Sequence, residues 1–224
     1  MAKDIAVASE RLEVAVTLGL AEVAGIHTNF TVRKYDEEMA RWAMDRVRPG
    51  EELTDAIFRD LGIAPYEEKT DFDCNLVVQN GWVALLGGVA GTTMSPKFGA
   101  ANGRIGVGTS ATAAAYSQTT LVGDTGAAST TAYFKLVSGA PAISTGSSPP
   151  TLVFTAAFGG AVANFAWAEF GSDAGTADSV SNATTGGTFF NRGVSAQGTK
   201  ASGQVWTATE TLQFGFPSGS GTVS

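Results

Sequence analysis

Thr151-Leu152-Val153-Phe154-Thr155-Ala156-Ala157-Phe158 and Ala163-Asn164-Phe165-Ala166-Trp167-Ala168-Glu169-Phe170 flank a short break, Gly159-Gly160-Ala161-Val162. Each run is eight residues long; the first is rich in Thr, Val and Phe and the second carries Phe and Trp, the length and residue types of a β-strand. The same grammar recurs on both sides. Residues 103–107, 132–137, 188–194 and 207–214 read as further strands, separated by Gly, Pro, Ser and Asn. Six short strands punctuated this way predict a mainly β fold, an antiparallel β-sandwich or jelly roll. Helical segments do not alternate with these strands, which excludes a doubly wound parallel sheet.

The N-terminal third reads differently. Residues 12–20 place apolar side chains at every second position, the period of a half-buried strand, with a helix over 4–24 as the rival reading. Residues 26–32 alternate again. From Asp36 to Val47 the period changes: Met39, Ala43 and Val47 share a helical face beside Tyr35 and Trp42, and Asp36 is placed to cap. Pro49-Gly50 stops this helix. A second helix is predicted over 51–61 from Leu53, Ile57 and Leu61, with Gly62 as its stop. Residues 72–79 follow as a strand, Asn80-Gly81 as a turn, and 82–86 as a short helix ended by Gly87-Gly88. The expected organisation is a strand-plus-helix segment or docking arm over 1–72, a β-sandwich over 73–216, and a flexible tail over 217–224. There is no internal repeat. No apolar run reaches the roughly 20 residues that span a bilayer, and the acidic start does not read as a signal peptide.

Charge divides the chain in the same place. Residues 1–75 hold nine basic and sixteen acidic residues, which leaves five and five for 76–224. Ordinary soluble domains are about a quarter charged, so the surface of the body is expected to consist of Thr, Ser, Gly, Ala and Asn. Low charge suits a surface that packs against copies of itself or a partner, and it suits a Thr/Ser-faced sandwich equally. The net charge of −7 argues against broad binding to a phosphate backbone. The single cysteine, Cys74, excludes an intrachain disulfide and a cysteine zinc site.

The residues that carry chemistry do not assemble into a motif. His27, the one histidine, sits on a strand beside Thr28 and Asn29 with no nucleophile in sequence reach. Cys74 alternates with Phe72 and Leu76 as a small core residue. Gly106-Val107-Gly108-Thr109-Ser110-Ala111 loosely matches a dinucleotide-binding turn, but a poor helix follows it and Asp124 comes too early. Asp71, Asp73, Asp173 and Asp178 fall short of the oxygens calcium needs. Trp82, Phe165, Trp167 and Trp206 are read as sandwich core, against the alternative of an exposed aromatic platform for nucleic acid or sugar. In the alternation of residues 164–170, Glu169 shares a face with Phe165 and Trp167; if buried there, it needs a cation such as Arg192. No catalytic residue, metal or cofactor is predicted. Tyr35, Met39, Trp42, Leu53, Ile57 and Phe58 form the candidate interface of the helical segment.

Several blocks, in order, resemble a group of tailed-phage virion proteins common in phages of actinobacteria. They are Asn75-Leu76-Val77-Val78-Gln79-Asn80-Gly81-Trp82, the stretch from Ala101 to Ser110, the stretch from Thr155 to Phe170, Asn191-Arg192, and Gly198-Thr199-Lys200 with Ser202-Gly203 and Trp206. They span about two-thirds of the chain. The turn after Phe158 is shorter than in the group, and residues 36–61 lie outside the resemblance. The resemblance implies a non-enzymatic virion component, made in the host cytoplasm. A capsid decoration or minor head protein is the first expectation, with a tail, baseplate or fibre-base component as the alternative. The implied partners are the major capsid protein and copies of the chain itself, in a homo-oligomer such as a trimer, without nucleic acid or membrane.

Overall fold

A computed structural model describes residues 25–71, 75–91, 98–144, 150–182 and 188–215. The segment read as strand or helix over 4–24, Cys74, Asp73 and the tail over 217–224 lie outside them. Among the described residues, ten strands and three helices follow in chain order: β1 (Gly25–Tyr35), α1 (Glu37–Met44), α2 (Asp55–Asp60), β2 (Glu67–Asp71), β3 (Asn75–Val77), α3 (Gln79–Val89), β4 (Gly103–Gly108), β5 (Ala132–Leu136), β6 (Ala142–Ser144), β7 (Thr151–Phe158), β8 (Ala166–Ala174), β9 (Thr188–Thr199) and β10 (Val205–Gly215). They form two antiparallel five-stranded sheets, ordered β2-β1-β10-β7-β6 and β3-β9-β8-β4-β5. The fold is a β-sandwich.

Period-two alternation builds the interior. On β1, Thr28, Phe30, Val32 and Lys34 are buried, while Asn29, Thr31 and Arg33 remain partly exposed. Facing rings fill the space between the sheets. Trp167 meets Phe158 and Trp206 edge to face, at centroid distances of 4.8 and 4.9 Å, and Phe30 lies 5.1 Å from Phe170. Trp167 also donates its indole N–H to the Ala163 carbonyl at 2.9 Å, so this buried indole leaves no polar atom unmet.

The N-terminal segment from Gly25 onward belongs to the sandwich. β1 pairs with β10 over eleven residues, from Gly25↔Gly215 to Tyr35↔Val205, and lies between β10 and β2. A boundary at residue 72 therefore falls within one fold, and these residues are not a free arm. The two helices close one end of the sandwich as a cap. Asp36 accepts the Met39 N–H at 2.8 Å, and Thr54 accepts that of Ile57 at 3.4 Å. That second cap starts α2 at Asp55, later than the expected residue 51. Gly62 follows in the left-handed conformation, φ +74°.

Three features depart from the sequence reading for local reasons. β2, Glu-Glu-Lys-Thr-Asp, has no apolar alternation because it is an edge strand whose charged side chains make polar contacts, Glu68 with Arg33 and Asp71 with Ser195. β9 continues past residue 194 because its polar end meets β2: Ser195 Oγ donates to Asp71, and Lys69 donates to the Ala196 carbonyl at 2.7 Å. The turn expected at Asn80-Gly81 lies inside α3. Gly81 sits against the carbonyl of Phe190, where a Cβ would collide, so its lack of a side chain serves close helix–strand packing.

Candidate docking surface

The second sheet is buried on both faces. Ile105, Val107 and Phe170 point to the other sheet, while Arg104, Glu169 and Asp173 point away and are covered by residues 109–131 and 175–179. A register shift between Trp167 and Glu169 makes this possible. Strict alternation would place Glu169 beside Trp167; the break in pairing at Ala168 lets Trp167 enter the core and Glu169 the outer face. The expectation of a shared face is thereby corrected, while the expected partner is present. Arg192 Nε donates to Glu169 Oε2 at 2.7 Å, and both side chains are fully buried. Glu169 also accepts backbone N–H groups from Val122 at 2.9 Å and Gly123 at 2.6 Å. One carboxylate thus fixes a long loop that has few apolar anchors of its own.

Arg104 repeats the device. Its guanidinium grips Asp173 through two N–H groups, one at 2.8 Å, and reaches the Ala177 carbonyl at 2.8 Å. Burial raises the Asp173 pKa to about 6, against the opposing pull of Arg104. Lys200 donates to the carbonyls of Gly159 and Val162 and to Asn164 Oδ1, at 2.8, 3.1 and 2.7 Å, closing the turn between β7 and β8; burial lowers its pKa to about 8. Between the sheets, Asn191 accepts the Ser172 N–H at 2.8 Å and donates to Glu210. Burial raises the Glu210 pKa to about 7, opposed by the hydrogen bonds from Asn191 and Ser172.

These groups hold loops and strands of the sandwich in place. Glu169 and Glu210, the only glutamates after residue 68, are both fully buried, and neither meets solvent. Asp173 and Asp178 part company: the first holds Arg104 and the second holds Lys135 at 2.9 Å. No group of three or more possible metal ligands occurs among the described residues. Gly106 and Gly108 lie within β4, where they leave room for Phe134 and Glu169. They form no phosphate loop.

The surface is unusual in the opposite sense. Six of the ten charged residues of 76–224 are interior: Arg104, Glu169, Asp173, Arg192, Lys200 and Glu210. Among the described residues only Asp124, Lys135 and Asp178 remain to charge the outside of the body, and the last two are paired with each other. Large apolar side chains are exposed instead, and they gather in two places. The first is the cap. A groove of about 480 Å³ is lined by Met39, Trp42, Leu61 and Ile63, with Asp36 and Glu38 at its rim. Trp42 is exposed and carries the Arg46 guanidinium 3.6 Å above its ring. The second is α3, whose outer face shows Trp82, Val83, Leu86 and Val89.

The expected interface is therefore smaller than its six residues. Tyr35, Leu53 and Phe58 are buried in the cap, where the rings of Tyr35 and Phe58 stack at 3.7 Å, and Ile57 is half-buried beneath them. Burial and the Asp55 carboxylate push the Tyr35 hydroxyl pKa up. Asp55 fastens this cluster to the sheet through Arg33 at 2.7 Å and through Thr207. Of the six only Trp42 is exposed; Met39 is partly buried and lines the groove with Leu61 and Ile63. Of the expected core residues, Trp167 and Trp206 are interior and Phe165 packs partly buried against them, but Trp82 is 36% exposed. Its neighbours Val83, Leu86 and Val89 were not singled out by sequence; the signal was a helix without a polar face. Comparison of the chain with family models, with curated proteins and with solved structures gave no match.

Proposed function

We propose that this chain is a non-enzymatic structural protein of a tailed-phage virion, a capsid decoration or minor head protein that coats or stabilises the shell. One observation carries the reading: the body keeps six of its ten charges inside and shows an almost uncharged exterior with an apolar helix on it. A freely diffusing protein gains solubility from surface charge. A subunit held between neighbours gains more from removing it, because charge is depleted at the centres of interfaces. The acidic cap with its Trp42 groove would meet the shell, and the body would meet copies of the chain. The blocks that resemble virion proteins contain Arg104, Glu169, Arg192 and Lys200, the residues that hold the loops of the sandwich, which supports a shared framework.

A second reading places the protein in the tail, at a baseplate or fibre base. Tyr66 and Tyr116 favour it, since both are exposed on connecting segments where a host glycan could stack. Immunogold electron microscopy of intact particles, with antibody to this protein, separates the two. Gold over the heads is the expected result. Gold confined to the tail would replace the first reading with the second, and unlabelled particles would overturn both.

A further inference from the structure

α3 is eleven residues long and carries no charge: Gln-Asn-Gly-Trp-Val-Ala-Leu-Leu-Gly-Gly-Val. Its inner side, Gly81 and Ala84, is buried on β9. Its outer side shows Val83 at 64%, Leu86 at 65% and Val89 at 89% exposure, beside Trp82. Helices that are apolar on every side are buried in folded proteins, and a surface helix turns polar residues to water. This one has apolar residues where the polar ones belong.

The uncharged region extends beyond the helix. Residues 75–91 and 105–123 contain no Asp, Glu, Lys or Arg. The two stretches touch where the Gln79 N–H meets the Tyr116 carbonyl at 2.8 Å. Leu76 and Tyr116, both exposed, widen the apolar area beside α3, and the Ala- and Thr-rich segment 111–120 is largely exposed next to it. An ordinary monomer shows apolar patches of about 300–600 Å², and a stable contact takes roughly 800 Å² per partner. The face of α3 supplies an apolar centre, and its uncharged surroundings supply a rim.

Electrostatics selects the occupant. Where identical chains meet on a symmetry axis, a group on the axis itself faces its own copy, so a charge there meets a like charge. For a chain with net charge −7, a surface without charge is the one that brings least repulsion to such an axis. A foreign partner imposes no such condition and would be recognised better by complementary charge. The cap, rimmed by Asp36 and Glu38, has that second character; α3 has the first. We propose that α3 is the contact that joins copies of this chain, set on the symmetry axis of a homo-oligomer. This deepens the virion reading by naming the self-contact. It is read on isolated protein, so it fails or stands separately from the labelling of particles.

Light scattering coupled to size exclusion tests it on the full chain and on Leu86→Glu. Leu86 is well exposed, so the variant keeps its fold, which a matching thermal melt checks. The wild type is expected to run as an oligomer, and Leu86→Glu as a single chain. Ile143→Glu, at an exposed position on the edge strand β6, is expected to keep the oligomer. A monomeric wild type at every concentration overturns the proposal. So does an oligomer that survives Leu86→Glu, or one lost in Ile143→Glu alone, which would assign assembly to the sheet edge. A chain lacking residues 1–24 is measured alongside. If it assembles through α3 while the full chain stays monomeric, the face belongs to the chain's own N-terminal segment and the proposal also falls.

Discussion

Residues 25–71 and the body that follows them handle charge in opposite ways. Eighteen charged side chains lie in 25–71, and only Lys34 is buried among them, held by Glu67 at 2.7 Å and lying over the Trp206 ring. The body has few charges and puts most of them inside. Two uses of charge follow. On the first segment it is spread over the surface, where each exposed pair adds little stability, on the order of 0–1 kcal/mol. In the body it is a fastener for loops that lack apolar weight: Glu169 holds 109–123, Arg104 holds 175–177, and Lys200 holds 159–164. The interior charges free the outside of the body to be neutral, which is the property that an assembly surface needs.

The sharpest way to break this comparison is to remove one fastener. Arg192→Met leaves the fully buried Glu169 without its cation and should destabilise the fold by about 3–5 kcal/mol. Chemical denaturation of the single variant and of Glu169→Gln/Arg192→Met together checks it. The double variant is expected to recover a large part of the loss, because no uncompensated charge remains. A single variant within experimental error of wild type would show that the pair is no fastener.

Glu210 gives the next effect. Its folded pKa stands near 7, above the 4.5 of a free glutamate, because burial disfavours the carboxylate. The folded state therefore holds the proton more tightly than the unfolded state. The contribution is complete below about pH 4.5 and is lost as pH rises through about 7, an effect on the order of 3 kcal/mol. Denaturation midpoints across pH 4 to 8 should fall in the wild type and flatten in Glu210→Gln. Asp173, also raised, slopes the same way and remains as background in the variant.

Much of the sandwich was legible because strands carry their signal locally. β7 runs over Thr151–Phe158, as its Thr/Val/Phe run predicts, and β10 differs from the expected span only at its ends. What was not legible depended on partners distant in sequence. β2 is a strand only because β1 lies beside it, and its Glu-Glu-Lys-Thr-Asp would pass for a loop alone. The register shift after Trp167 cannot be read from Ala-Trp-Ala-Glu, since two-residue periodicity holds until the partner strand shifts register. Glu169 nonetheless announced its cation, because a buried carboxylate in a body with five basic residues leaves few choices. The outward face of the cap was misjudged for a related reason. Tyr35, Leu53 and Phe58 are apolar whether they bind a partner or each other, and the sequence does not say which.

The smallest expected effect is the most discriminating for the two exposed apolar sites. Raising salt from 0.1 to 1 M shortens the screening length from about 10 Å to about 3 Å. Contacts built on charge weaken over that range, and contacts built on apolar burial do not. Self-association through α3 contains no charge to screen, while the repulsion between two chains of net −7 is itself screened. Its apparent affinity should stay level or tighten slightly. Binding of a basic partner to the cap, rimmed by Asp36 and Glu38 around Trp42, should fall over the same range. Sedimentation of the isolated chain at the two salt concentrations measures the first, and co-sedimentation with shells stripped of this protein measures the second. Self-association that weakens strongly with salt would mean that charge joins the copies, and the division of labour between neutral body and acidic cap would be wrong at its centre.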